Sequence, residues 1–218
     1  MTNSIDFLST RLEELETPEK FKELWENINL PIQKNKAAHY NLPEDEKAII
    51  LDKLSKRGYF LTTIAEFFGA KNILEVGTAE GWQFFSFAEY CNNNDGKIWS
   101  CDIDDRCNKT YEEEYKDVAT FVLGDSKNLA DFLNSQDIKI DLFYIDGSHE
   151  KNAVLRDITN LKSVQNEKFT PIWIFDDYDD RFGCYYDIAT VLKASPCYFV
   201  YSPGKTASGN PTHQAVLR

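Results

Sequence analysis

From residue 70 onward the chain alternates short apolar runs with longer amphipathic stretches. The apolar runs are Asn72–Val76, Lys97–Cys101, Ala119–Leu123, Leu142–Ile145 and Pro171–Phe175, each of strand length. Helices fit between them over Gln83–Tyr90, Thr110–Lys116, Lys127–Asn134 and Asn152–Val164. Short apolar strands separated by helices predict an α/β fold with a doubly wound, mostly parallel, Rossmann-like sheet. A last helix is predicted over Tyr185–Ala194. Two final strands, Tyr198–Tyr201 and Gln214–Leu217, flank the Gly/Pro/Ser-rich stretch Ser202–Pro211 and bring the expected sheet to seven strands.

Residues 1 to 68 carry a helical pattern instead. Thr17-Pro18-Glu19 reads as an N-cap followed by proline at the first helical position. Phe21, Leu24, Trp25 and Ile28 follow at helical spacing. Pro43-Glu44-Asp45-Glu46 opens another helix, with Ile49, Ile50 and Leu54 on its apolar face. Gly58 breaks it, and Tyr59–Phe68 continues as a further helix up to Gly69. The segment Pro31–Pro43 lacks periodicity and reads as a loop. The expected organisation is an N-terminal helical cap over 1–57 and an α/β domain over 58–218.

Composition narrows the function classes. The 218 residues, 42% hydrophobic, suffice for one domain with an appendage. A formal net charge of −12 argues against a nucleic-acid partner, which needs lysine and arginine to neutralise phosphates. Anionic membrane surfaces are disfavoured for the same reason. The five cysteines form no C-x-x-C pair, so reduced thiols in a cytoplasmic protein fit better than disulfides or zinc. No run approaches the ~18 apolar residues that span a bilayer, and the first residues show no signal-peptide pattern.

The chemistry sits where the strands end. In a parallel α/β sheet, successive strand C-termini share the edge at which ligands bind. Glu75-Val76-Gly77-Thr78-Ala79-Glu80-Gly81 joins the first apolar strand to a helix, either as a binding loop or as a plain tight connection. Asp102 ends the second strand and suits the hydroxyls of a ribose, or caps a turn, with Asp104 as a competing carboxylate. Gly124-Asp125-Ser126 ends the third. Asp125 can accept from an exocyclic amine of a base or simply cap the next helix. Asp146 closes the fourth strand, and Asp176-Asp177 close the fifth. Three carboxylates on one edge repel one another unless a cation lies among them, and a hard divalent ion with oxygen ligands is the simplest choice. Alternatively, Asp176-Asp177 with Asp179-Asp180 form a solvated acidic turn. His149, three residues after Asp146, adds a group that titrates near neutrality.

In this order and spacing, these strand ends resemble those of class I S-adenosylmethionine (SAM)-dependent methyltransferases. Ile73-Leu74-Glu75-Val76-Gly77-Thr78-Ala79-Glu80-Gly81-Trp82 looks like their first motif. Ile140-Asp141-Leu142-Phe143-Tyr144-Ile145-Asp146-Gly147-Ser148-His149 and Phe175-Asp176-Asp177-Tyr178 are similar to motifs of metal-dependent O-methyltransferases, and most like those of the macrocin/antibiotic-sugar type, relatives of the catechol and caffeoyl-CoA enzymes. The likeness covers residues 58–218. It implies that Glu75, Gly77, Gly81, Asp102, Asp125 and Ser126 contact SAM. It also implies that Asp146, Asp176 and Asp177 bind Mg2+, and that His149 is the catalytic base. Glu80 and Ser148 depart from the usual residues at their positions.

The resemblance implies a sugar or small polyhydroxylated molecule as the acceptor, and homodimers are common in the class. Methyl transfer to a hydroxyl is an in-line displacement that needs a deprotonated oxygen held close to the methyl group. Tyr178, Arg181 and Tyr185 stand where an acceptor pocket would be lined. A non-catalytic SAM-binding or sugar-binding module is the competing reading. A phospho-acceptor receiver fits poorly, because its acid pair follows the first strand. A nicotinamide dehydrogenase lacks support without a tighter glycine fingerprint.

Overall fold

A computed structural model describes residues 6–10, 57–58, 60–107, 109–195, 198–205 and 211–217. Most of the expected helical cap lies outside them. The strands are β1 (Asp6–Thr10), β2 (Asn72–Val76), β3 (Lys97–Asp102), β4 (Ala119–Leu123), β5 (Leu142–Ile145), β6 (Ile172–Phe175), β7 (Tyr198–Lys205) and β8 (Pro211–Leu217). They form one sheet in the order β1-β7-β8-β6-β5-β2-β3-β4. Strands β2 to β6 pair in parallel, whereas β8 runs antiparallel to both β6 and β7.

The α/β, mostly parallel sheet expected from the pattern is present, with eight strands rather than seven. The extra one, β1, lies in a stretch read as helical. It pairs antiparallel with β7, placing Asp6 opposite Ser202 and Thr10 opposite Phe199. The segment Asp6-Phe7-Leu8-Ser9-Thr10 is too short to show a helical stripe, and an open β7 edge offers its backbone ready partners.

Residues 60–68 form helix α1, with Arg57 and Gly58 helical just ahead of it. The remaining helices are α2 (Trp82–Asn93), α3 (Tyr111–Glu114), α4 (Ser126–Ser135), α5 (Ala153–Leu161) and α6 (Cys184–Lys193). Alternation along the strands sends side chains to two cores. Ile73, Leu142, Tyr144, Ile172 and Ile174 pack with Phe60, Leu61, Ile64, Phe84 and Phe87 of α1 and α2. Leu74, Val76, Phe143, Ile145, Trp173 and Phe175 pack with Leu129, Leu133, Leu161, Ile188 and Leu192 of α4, α5 and α6. Burial on both faces explains why β2, β5 and β6 read as unbroken apolar runs. Each fully buried large apolar side chain here contributes about 1.5–3 kcal/mol.

Strand register sets the site. Val76 lies opposite Cys101 and Ile145, and Ile145 lies opposite Phe175. The residues that follow, Gly77, Asp102, Asp146 and Asp176, therefore emerge side by side on one edge. Strand β2 has β3 on one side and β5 on the other, so the chain reverses its winding direction there. Ligands bind at such a switch point. Among the described residues, no helix is long and apolar enough to cross a membrane.

Candidate active site

At the switch point a cleft of about 550 Å3 opens along the strand ends. Its lining includes Gly77 and Ala79 after β2, Asp102 and Ile103 after β3, Asp125 and Ser126 after β4, and Asp146, Ser148 and His149 after β5. Gly77 has φ of +94°, and a Cβ there would lie 1.9 Å from the Asp146 carbonyl oxygen. Only glycine lets the β2 turn pass this close to the end of β5. The Asp102 carboxylate accepts from the backbone N–H of Ala79 at 2.8 Å and of Asp104 at 2.9 Å. It thereby ties the glycine turn to the β3 loop. Each oxygen takes one of these bonds, so the carboxylate still has acceptor capacity facing the cleft.

Asp125 is the N-cap of α4. Its Oδ1 accepts from the N–H groups of Lys127 and Asn128, both at 3.0 Å, and the Asn128 side chain returns a bond to the Asp125 N–H. The capping role is therefore filled, while the residue also lines the cleft. The Ser126 hydroxyl donates to Asp157 at 2.6 Å and accepts from Asn160. Burial raises the Asp157 carboxyl above its usual range, against the Ser126 bond, which lowers it. Glu75 and Gly81 stand behind the cleft wall. Glu75 is buried and accepts from the Ser100 hydroxyl at 2.5 Å. Gly81 is the left-handed N-cap of α2, and a Cβ there would meet the Phe85 ring at 2.8 Å.

Asp146, which lines the cleft, meets the acids that follow β6. Asp146 and Asp176 both accept from the Tyr144 hydroxyl, at 3.0 and 3.1 Å. Arg57 Nη1 lies 2.6 Å from Asp176 Oδ2 and 3.4 Å from Asp146 Oδ2. Asp177 turns the other way. Its φ of +52° is left-handed, a strained state for a non-glycine residue, and its Oδ2 lies 2.7 Å from His149 Nε2. Ligand atoms of Asp146, Asp177 and His149 all lie within 4.8 Å of one another.

Electrostatics follow from this crowding. Burial and the Asp176 charge push the Asp146 carboxyl well above its usual range, and Arg57 only partly offsets them. The hydrogen bond to Asp177 raises the His149 imidazole against a smaller opposing effect of burial. Burial pulls the Arg57 guanidinium down, but Asp176, Tyr144, Asp146 and Asp177 together raise it further, so it stays charged. The imidazole also lies 4.9 Å from the Phe182 ring. The other acids of the β6 turn are not part of this cluster. Asp179 forms a two-pronged pair with Arg181, at 2.7 and 2.8 Å, that holds its carboxyl below the usual range. Tyr178 stacks on Tyr185 with ring centroids 4.9 Å apart.

Sequence reading brought Asp146, Asp176, Asp177 and His149 to one point but missed Arg57, Tyr144, Ile103 and Gln214, whose Nε2 donates to Asp176 Oδ1 at 3.4 Å. Tyr144 had a legible signal, because strand alternation puts it on the face of Asp146 two residues later. Ile103, 74% exposed in the cleft lining, had one too, as the lone apolar residue of an acidic loop. Arg57 had none, since nothing local links it to β5 and β6.

The fold is shared with known enzymes. An O-methyltransferase from Bacillus cereus in complex with S-adenosylhomocysteine (SAH) superposes with a TM-score of 0.60 at 15% identity, covering 94% of this chain and 93% of that one. The SAH-bound methyltransferase PaMTH1 of Podospora anserina gives 0.55 at 14% identity, over 93% and 89% of the two chains. The SAM complex of TomG, an O-methyltransferase of Streptomyces achromogenes involved in tomaymycin synthesis, gives 0.56 at 15% identity, over 74% and 78%. No curated protein matches the sequence. Residues 74–178 match the family model described as a methyltransferase domain, and that span runs from β2 past β6. That span includes every strand end of the cleft.

Proposed function

We propose that this protein is a SAM-dependent O-methyltransferase acting on a hydroxyl of a sugar or similar small polyhydroxylated molecule, with Mg2+ at the acid cluster. One observation carries the reading: Gly77, Asp102 and Asp125 line the same cleft as Asp146 and His149. The first group suits a nucleoside with an attached sulfonium, and the second suits a hydroxyl that must lose its proton. The O-methyltransferase neighbours solved with SAM or SAH support the cofactor. The sugar acceptor rests on motif resemblance.

In this reading Asp102 accepts from the ribose hydroxyls, and the Gly77 turn lets the backbone approach the cofactor. The acceptor oxygen attacks the methyl carbon as the S–C bond breaks, leaving SAH. His149 takes the hydroxyl proton, a role worth about 10² to 10⁴ in rate. Its half-exposed ring reaches the cleft and is held by Asp177 and packed near Phe182. The donors fit a divalent ion, since Asp146 and Asp177 offer carboxylate oxygens close together and Mg2+ commonly takes one or two carboxylates with waters or substrate oxygens. When bound, such an ion lowers the pKa of a coordinated hydroxyl and fixes its direction.

Transfer of labelled methyl from SAM to a panel of polyhydroxylated acceptors tests the reading, with EDTA and then Mg2+ restoration as the second arm. Full activity in chelator removes the metal. Failure to bind SAM removes the function.

A further inference from the structure

A guanidinium occupies the place where motif resemblance expects a third metal ligand to be free. The Asp176 side chain is only 1% exposed, so its charge requires a partner inside the protein. Arg57 Nη1 supplies it at 2.6 Å, the Tyr144 hydroxyl lies 3.1 Å from the same oxygen, and Gln214 Nε2 donates to the other at 3.4 Å. Both oxygens of Asp176 are therefore engaged by side chains. Asp177 is carried away from Arg57 by its left-handed backbone and faces His149 instead. The atoms that could share one ion come from Asp146, Asp177 and His149, and Asp176 is not among them.

Charge balance points the same way. An ion that took Asp176 for itself would deprive Arg57, whose side chain is only 11% exposed, of its 2.6 Å partner and leave it only the 3.4 Å contact to Asp146. Breaking a buried pair in that way is strongly unfavourable.

We propose that Arg57 is the permanent counter-ion of Asp176, a positioning residue that limits the carboxylate ligands of the divalent ion to Asp146 and Asp177. The proposal rests on the reading of this cluster as a metal site. It gives Asp176, the more buried of the two β6 acids, a structural role. It also makes the ion's affinity depend on a residue ahead of α1, outside the span that matches the methyltransferase domain. Divalent-ion affinity follows the charge count of the ligands, so a two-carboxylate site holds the ion less tightly than a three-carboxylate one.

Mn2+ is the probe, followed by electron paramagnetic resonance titration and by anomalous difference maps from crystals soaked in it. The wild-type map should place the ion on Asp146 and Asp177 with Arg57 still on Asp176. Arg57→Gln, by freeing a third carboxylate, should tighten Mn2+ binding by about tenfold or more. The double variant Arg57→Gln/Asp176→Asn should return to within about threefold of wild type. An ion bonded to Asp176 with Arg57 displaced overturns the proposal, as does Arg57→Gln binding no more tightly than wild type. If Arg57→Gln does not fold, the wild-type map alone decides. Absence of Mn2+ from wild type and every folded variant overturns the metal reading and this inference together, with SAH binding by the same samples showing that the cleft is intact.

Discussion

His149 and Asp177 form the contact on which the proposed chemistry turns. Replacing His149 with Ala should reduce methyl transfer by about 10² to 10⁴ while leaving SAH affinity unchanged. Equal turnover would remove it as base. The same pair sets a pH signature in the metal-free protein. The folded imidazole is raised above 6.5 by its bond to Asp177. Its stabilising effect is therefore complete below the unfolded value of about 6.5 and is lost as pH rises through the folded value. Thermal melts across that range should show wild type losing stability relative to His149→Asn as pH increases, and parallel curves would show that the pair contributes nothing. At this scale the sequence disclosed the acids, because they stand at strand ends, and the histidine, because it lies three residues after one of them. Arg57 was hidden, because a counter-ion supplied from over a hundred residues away leaves no local pattern.

Elements were legible where burial is two-sided. Strands β2, β4 and β5 appear where the apolar runs predict them, and β3 and β6 differ by one residue at one end. Both faces are covered at β2, β3, β5 and β6, so periodicity and strand length agree there, while the edge strand β4 is only partly buried. Strand β1 was illegible, because an edge strand of five residues is specified by its partner β7 more than by its own pattern. Helix α4 is capped by Asp125, a position the sequence left open between cap and ligand. Asp125→Ala should lower stability by about 1 kcal/mol through loss of the cap, a fall of roughly 2–4 °C in Tm. Asp125→Asn, which keeps an accepting oxygen, should fall by less. Gly77 ties two elements together. Gly77→Ala drives a methyl group into the Asp146 carbonyl and should cost at least about 3 kcal/mol. A thermal shift within a degree of wild type would contradict the close approach of the β2 turn to β5.

At the scale of the molecule, the strand order explains why residues far apart in sequence serve one cleft. Parallel strands in register deliver their C-terminal residues to one edge, and the reversal of winding at β2 opens that edge between β3 and β5. The parallel sheet was readable from alternation. The insertion of antiparallel β8 between β6 and β7 was not, since strand order depends on packing across the whole sheet. The central claim is that this edge holds a sulfonium nucleoside beside the acid cluster. A calorimetric titration with SAH, on wild type and Asp102→Ala, tests it most directly. Saturable binding that weakens by about tenfold or more in Asp102→Ala is predicted, as expected for losing hydrogen bonds to a charged group. No binding by wild type, or binding untouched by the substitution, would contradict it.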